Sequence, residues 1–197
     1  MCYEPAMLAT PRLATTDDIR RRSAGIVKRP ELLDEALKPL HQGLLCPALF
    51  GEDGSRFAHV ELPVALHHPF SDDHLLEALP IPPPMWRPVE VLSADAIRMS
   101  PINDHYYDLV LQGTVLRRLI DLNGPRALVL EKQAALQTRL HAAFGTAPAA
   151  VAEGRTLPPM PLARDVQQAL KVGTPLPIDP ETEAYAFALG VVLEPVT

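Results

Sequence analysis

Residues 100–144 read SPINDHYYDLVLQGTVLRRLIDLNGPRALVLEKQAALQTRLHAAF, and this stretch decides the fold of the chain. Its apolar residues recur every three or four positions, which is the period of one face of an α-helix. Asn123-Gly124-Pro125 interrupts the pattern, and Ser100 is a helix-capping residue at its start. The stretch therefore predicts two helices joined by a short turn, which makes them antiparallel. At roughly 20 residues each, they would be about 30 Å long.

The apolar residues of this stretch form one stripe on each predicted helix. The first stripe consists of Ile102, Tyr106, Leu109, Val110, Leu116 and Ile120, and the second of Val129, Leu136, Leu140 and Phe144. Such stripes seal helices against each other, so we expect them in the core and any function on the outer polar faces. Gly113 lies inside the first helix, where glycine costs about 1 kcal/mol relative to alanine. It either permits a close approach or is simply tolerated.

Composition limits the class of protein to which the chain belongs. With 197 residues, 47% of them hydrophobic, it is long enough for one ordinary core and at most an appended module. A broad grip on phosphates needs clustered Lys and Arg, whereas the net charge here is -6. A protein or peptide partner therefore fits better than a nucleic acid.

Cysteine usage and hydropathy indicate a cytoplasmic protein. Cys2 and Cys46 are the two cysteines, and they have neither metal-ligand nor disulfide-framework spacing. The first residues do not resemble a signal peptide, and no run of apolar residues is long enough for a membrane helix. We expect no export, no membrane span and no cofactor.

Before the hairpin, the chain reads as short helices and extended segments. Residues 15–18 match a capping box and predict a short helix that ends near Gly25. Further elements are expected as a short helix over 31–37, an apolar strand over 43–50, a turn over 51–55 and an extended segment over 57–66.

After the hairpin, residues 147–153 read as a linker of small residues. Residues 162–172 predict a short helix that Gly173 ends, and residues 185–193 predict a strand. The chain as a whole is therefore expected to be α+β and mostly helical.

Two blocks of the chain resemble the beta-prime subunit of bacterial DNA-directed RNA polymerase. The first block, residues 13–51, contains DDIRRRSAGIVKRPELLDEALKPLHQGLLCPALFG and is similar to the start of that subunit. The second block comprises LPIPPPMWRPV at 79–89, SPINDHYYDLV at 100–110 and RRLIDLNGP at 117–125. It is similar to the clamp helices of the subunit, the hairpin that holds sigma factors.

The chain departs from that family at two places. Residues 51–57 directly join segments that a long cysteine-rich zinc ribbon separates in the subunit, and residues 58–65 resemble the return strand. No four zinc ligands with plausible spacing are present in the sequence. The NADFDGD loop, whose aspartates hold the catalytic magnesium, is also absent from the sequence. The resemblance therefore implies a chain that does not itself synthesise RNA.

The resemblance implies a fold as well. We expect an α+β, mostly helical chain with a reduced RNA polymerase clamp core and a protruding antiparallel helical hairpin. Its four parts would be a flexible N-terminus at 1–12, a clamp-like core at 13–99, the hairpin at 100–145, and a linker with a C-terminal element at 146–197.

The function that the resemblance implies is a non-catalytic transcription protein that binds a sigma factor or another polymerase-associated partner through the hairpin. The positions that grip sigma in the family, carried over along the hairpin, predict six partner-binding residues: Asp108, Gln112, Val115, Glu131, Lys132 and Gln133. Gln112 and Val115 stand where the family has arginines, and Lys132 stands near its acidic position. Because such charges set partner choice, the partner is expected to differ or the binding to have decayed.

Two alternatives stay open at this point. The chain could be a subunit fragment of a split RNA polymerase, completed by another chain that bears the magnesium loop. It could also be a small metal-dependent enzyme that uses His67, His68 and His74, the densest group of potential ligands, although a solvated surface cluster is the more ordinary interpretation. Basic residues 20–22, 28 and 29 allow at most a weak DNA contact, or one within a complex, because such runs are usually solvated helix faces.

Overall fold

The computed structural model describes residues 7–23, 25–27, 57–93, 96–148, 151–152 and 155–196. The elements expected over 31–37, 43–50 and 51–55 lie outside the described residues. In the described part of the chain, five α-helices occur together with ten strands. The α+β class is confirmed, and more of the described residues lie in helices than in strands.

The helices are α1 (Thr16–Arg22), α2 (Pro101–Asp121), α3 (Arg126–Ala143), α4 (Ala163–Val172) and α5 (Pro180–Ala188). The strands are β1 (Leu8–Leu13), β2 (Gly25–Val27), β3 (Ala58–His68), β4 (Ser71–Ile81), β5 (Val89–Ser93), β6 (Ala96–Met99), β7 (Val151–Ala152), β8 (Arg155–Thr156), β9 (Leu176–Pro177) and β10 (Val191–Pro195). Two of the sheets have three strands each, in the orders β10-β1-β9 and β2-β3-β4. Strands β5 and β6 form a two-stranded sheet, as do β7 and β8.

Helix α1 begins at the predicted capping box. Thr15 Oγ1 accepts a hydrogen bond from the amide of Asp18, and the Asp18 carboxylate accepts one from the amide of Thr15. The same carboxylate accepts a 2.7 Å hydrogen bond from Arg12 on β1, which holds the pKa of Asp18 well below its usual range. The cap therefore fastens α1 to the strand that precedes it.

Sheet β10-β1-β9 joins the two ends of the chain. Strand β1 lies between the other two and is antiparallel to both, so Ala9 aligns with Pro195 on one side and with Leu176 on the other. The described residues of the expected flexible segment 1–12 are thus mostly a central strand. The pairing also makes the C-terminal residues part of the same packed unit as the N-terminal ones.

A helix replaces the first part, 185–188, of the strand expected over 185–193. The Asp179 carboxylate accepts hydrogen bonds from the amides of Glu181 and Thr182, which starts α5, and only β10 is extended. The apolar run is continuous because the end of α5 packs on several elements, including β4 and β10. A buried helix of this kind cannot be told from a buried strand by periodicity alone.

Helices α2 and α3 lie where the sequence predicts them and pack against each other, joined by residues 122–125. The buried members of the two predicted stripes are Ile102, Tyr106, Leu109, Val110, Leu116, Leu136, Leu140 and Phe144. Val129 is half-buried against the core. Ile120 is the exception at 36% exposed, because it lies in the last turn of α2 beside the exposed connection. None of the helices in the described ranges is long and apolar enough to cross a membrane.

Candidate protein-binding hairpin

An ion pair between Asp108 on α2 and Arg139 on α3 shows the register of the hairpin. The two side chains are in direct contact, and both are partly exposed. Asp108 lies as many residues before the end of α2 as Arg139 lies after the start of α3. The helices therefore run side by side without an offset. We call the flank of the hairpin that carries this pair the outer face.

Three more of the sequence-predicted residues fall on the outer face. Gln112 and Val115 follow Asp108 by one and two helical turns, and Lys132 precedes Arg139 by two turns. Residues at these spacings share one side of a helix. The register also sets Val115 opposite Lys132, and all of these side chains are half-buried. The structure thus brings together four of the six predicted positions.

The other two predicted residues lie at the border of this face or beyond it. Glu131 is exposed, and its Oε1 atom is 3.4 Å from Nζ of Lys132, so each charge has a partner. Gln133 lies one turn before Gln137, whose side chain contacts strand β3. Gln133 therefore lies on the flank that faces the sheet and is not brought together with Asp108.

The flank opposite the outer face is attached to strand β3 by two side chains. The side-chain amide of Gln137 donates to the carbonyl of His67 and accepts from the amide of the same residue, both at 2.8 Å. Arg117 donates to the carbonyl of Glu61 at 3.1 Å. Sequence reasoning missed both contacts, because a polar residue beside an apolar stripe has the pattern of a solvent-facing residue. The hairpin is therefore not a free arm along its whole length.

A buried polar cluster holds the base of α2. Arg87 donates to the carbonyl of Pro82 at 2.9 Å and to Oδ1 of Asn103 at 3.0 Å, and Nδ2 of Asn103 donates to the carbonyl of Arg87 at 2.8 Å. The Tyr106 hydroxyl donates to the carbonyl of Pro80 at 2.7 Å. Burial lowers the pKa of Arg87 to about 10 and raises that of Tyr106. Arg87 and Tyr106 thus donate hydrogen bonds to carbonyls of a proline-rich segment, whose proline nitrogens cannot donate any themselves.

The three histidines of the alternative metal site each contact a different part of the main chain. Each ring contacts a different backbone carbonyl oxygen: His67 that of Asp72 at 2.8 Å, His68 that of Leu189 at 3.0 Å and His74 that of Ala14 at 2.8 Å. Within the described ranges, no three His, Cys, Asp or Glu side chains are arranged to hold a metal ion. The geometry therefore gives no support to a metal-dependent enzyme at this cluster.

His68 is a buried and neutral member of the core. Its Nδ1 atom accepts a hydrogen bond from the amide of Phe70 at 3.1 Å, so the proton is on Nε2, which donates to the carbonyl of Leu189. Burial, assisted by the neighbouring His74, lowers the pKa of His68 to about 4. The ring therefore has a structural role near neutral pH.

The basic run of helix α1 is engaged in ion pairs. Each arginine has a carboxylate partner: Arg20 has Glu61 at 2.8 Å, Arg21 has Asp18 at 2.7 Å and Arg22 has Glu183. The Arg22 guanidinium also lies 4.7 Å from the centre of the Phe57 ring. These carboxylates compensate the arginine charges, which weakens the attraction of this run for a polyanion such as DNA. Lys28 and Arg29 of the same run lie outside the described residues.

Comparison with known proteins shows that part of this chain is similar to one class of protein, the beta-prime subunit of DNA-directed RNA polymerase. No protein-family profile matches the chain. The beta-prime subunit of DNA-directed RNA polymerase from Rhodopirellula baltica is 31% identical over 70 residues, which is 36% of this chain and 5% of that subunit. The same subunit is 34% identical over 70 residues in Tropheryma whipplei and 37% identical over 68 residues in Saccharophagus degradans.

The matched stretch is thus a small piece of much longer relatives, because it spans 5% of the length of each of these three subunits. It amounts to 34% to 36% of the present chain. About a third of this chain is therefore similar in sequence to a short region of bacterial beta-prime subunits.

Proposed function

We propose that this chain is a non-catalytic, beta-prime-like transcription protein whose hairpin α2–α3 binds a sigma factor or another polymerase-associated protein. One observation carries the proposal. An antiparallel helix pair occurs in a chain of which about a third is similar to beta-prime subunits. The proposed partner-binding residues are Asp108, Gln112, Val115, Glu131, Lys132 and Gln133.

The chemistry of the outer face favours a protein as the partner. Asp108 and Arg139 neutralise each other, and Lys132 has Glu131 beside it, so the face has little net charge. Gln112 supplies an amide and Val115 an apolar surface, both half-buried. Such a surface binds by shape and hydrogen bonds more than by long-range attraction. It differs from the arginine-rich face that the resemblance implies, so we propose a partner with a matching, weakly charged surface.

The end of the hairpin extends this surface. Leu122, in the connection between the helices, is 80% exposed. A large apolar side chain with this exposure is accessible to a partner. We therefore place the partner along the outer face and toward the connection.

The proposed role is binding and not chemistry. RNA synthesis requires metal ions that stabilise the attacking and leaving oxygens. The aspartate loop that holds magnesium in the family does not occur in this sequence. A polymerase-like chain without that loop fits an accessory or a sequestering role.

A pull-down from the extract of the native cell tests the proposal. The tagged chain is compared with the double variant Gln112→Glu and Lys132→Glu, which places negative charge on the outer face. The matched control makes the same changes on α4, Gln168→Glu and Lys171→Glu, where both residues are exposed. Recovery of a sigma factor or a polymerase subunit should fall at least about tenfold with the hairpin variant, as expected for a loss above 1.4 kcal/mol. Equal recovery of these proteins by all three chains would mean that the outer face does not bind them.

The similarity to beta-prime subunits also favours a second function, that of a subunit fragment of a split RNA polymerase. Another chain would then supply the magnesium-binding aspartates. Purification of the native assembly distinguishes the two functions. A fragment remains bound, in equal amount, to a catalytic chain in an assembly that synthesises RNA. An accessory protein is absent from that assembly or is present in smaller amount.

A further inference from the structure

Strand β3 supports the hairpin at an edge that no other described strand covers. Strand β2 pairs with β3 at residues 58–60, and β4 lies on the other side of β3. Beyond residue 60, the described chain covers this edge with α2 and α3, which both contact β3. The main chain of His67 faces away from β4, because its amide donates to Gln137. Uncovered edges of this kind readily pair with foreign strands.

Gln137 takes the place of a neighbouring strand at this edge. A primary amide has its carbonyl and one N–H on the same side, like the N–H and C=O groups that a single residue directs toward a neighbouring antiparallel strand. With His67 it makes the two hydrogen bonds that an adjacent antiparallel residue would make, both at 2.8 Å. This geometry ties the position of α3 to that of the strand.

Arg117 makes a second attachment on the other helix. It binds the carbonyl of Glu61, which lies six residues before His67 on β3. At about 3.3 Å per residue, the two attachment points are up to roughly 20 Å apart along the strand. A rigid hairpin held at one point can pivot, whereas two separated points fix its direction. We infer that Arg117 and Gln137 are positioning residues that set the direction of the outer face relative to the sheets.

The strand between the two attachments is irregular, which increases their importance. The register of β3 with β4 shifts between Glu61 and Leu66, and Pro63 in this stretch has no amide to donate. Helix α2 passes close to it, since a Cβ atom on Gly113 would lie 3.8 Å from Cδ of Pro63. The regular ladder between β3 and β4 is interrupted here, so β3 itself is less firmly held between the two attachments.

The direction of the hairpin can be measured without any partner. A second expectation rests on the proposed function: a partner binds well only when the outer face is held in one direction. Spin labels are placed at Leu122→Cys, near the end of the hairpin, and at Val172→Cys on α4, since both side chains are more than 60% exposed. The two natural cysteines are changed to serine. Pulsed electron paramagnetic resonance then gives the distribution of distances between the labels.

The distance distribution is compared among matched variants. Gln137→Leu and Arg117→Met each remove one attachment and should raise the fraction of displaced hairpins roughly fivefold or more. Gln137→Glu keeps the acceptor but not the donor, so an intermediate effect is expected. Arg117→Lys restores a donor and should restore the narrow distribution. Gln168→Leu, on α4, is the control that should change nothing.

The outcomes separate this inference from the proposed function. A wild-type distribution in Gln137→Leu, in Arg117→Met and in their combination, with circular dichroism unchanged, would overturn the inference and leave the pull-down unaffected. If the combination does not fold, the two single variants decide. A displaced hairpin that still captures the partner as well as the wild type would overturn the consequence for binding. Displacement together with reduced capture is the result we expect.

Discussion

Arg87 and Asn103 bind each other through two hydrogen bonds that run in opposite directions at the base of α2. The Arg87 side chain donates to the Asn103 side chain, which in turn donates to the Arg87 carbonyl. Both residues are at most 3% exposed. The pair connects the proline-rich segment to the first turn of the hairpin, so it fixes the start of α2 to that segment.

Asn103→Leu tests how much this pair contributes to the free energy of unfolding. It removes an acceptor from a buried guanidinium and a donor from a buried carbonyl, and each unsatisfied group costs about 1–3 kcal/mol. We expect the free energy of unfolding to fall by about 2–4 kcal/mol in urea titrations. Gln168→Leu, at an exposed position on α4, should change it by less than about 0.5 kcal/mol. Equal stability of the two variants would mean that the pair contributes little.

Two glycines should respond in opposite directions to alanine. Gly113→Ala adds a Cβ atom that would lie 3.8 Å from Cδ of Pro63, an ordinary contact distance, and alanine favours the helix by up to about 1 kcal/mol. We therefore expect a rise in stability. Gly190→Ala should lower it, because Gly190 has a φ of +65° and its Cβ would lie 2.9 Å from Nε2 of His68. Thermal unfolding checks both, and a loss in Gly113→Ala would show that α2 and β3 are too close for a methyl group.

The buried His68 should make stability depend on pH. Its pKa is about 4 in the folded chain and about 6.5 when unfolded, so the neutral ring favours folding. This contribution is complete above pH 6.5 and is lost as the pH falls toward 4, up to about 3 kcal/mol.

Chemical unfolding between pH 7 and pH 4 measures this loss. His68→Gln should be less stable at pH 7 but should lose less stability over that window. The carboxyl of Asp18, with its pKa held low by Arg12, contributes to the acid response only below about pH 4. Parallel curves for the two chains would contradict a neutral His68 in the core.

Two leucines of α3 test which face of that helix is packed. Leu136 is fully buried, whereas Leu130 is 52% exposed. Leu136→Ala should cost about 2–5 kcal/mol of unfolding free energy. Leu130→Ala should stay within about 0.5 kcal/mol of the wild type. A reversed order in urea titrations would mean that α3 is rotated about its axis.

The sequence was sufficient to predict the hairpin and the start of α1, because both depend on local pattern. Apolar residues at helical spacing predicted which side chains of α2 and α3 are buried, and the capping box at Thr15 predicted the start of α1. The contact between Asp108 and Arg139 could also have been predicted. An antiparallel pair with a symmetric connection places residues at equal distance from the turn side by side.

The remaining features depend on partners distant in sequence. No local pattern indicates that β1 pairs with β10, at the other end of the chain. The attachment of Gln137 to His67 likewise depends on a strand 70 residues earlier. The missed helix α5 did have a local signal, since Asp179 followed by Pro180 is a helix start. There the apolar run favours a strand and the cap favours a helix, and the cap is the better guide.

The claim that the outer face binds a polymerase-associated protein is tested most directly by photo-crosslinking in the native cell. A photoreactive phenylalanine analogue replaces Val115 on the outer face or, as the control, the exposed Val172 on α4. Mass spectrometry then identifies the adducts. The account predicts an adduct with a sigma factor or an RNA polymerase subunit from position 115 and none from position 172. Adducts with neither class of protein from position 115, or the same adducts from both positions, would contradict it.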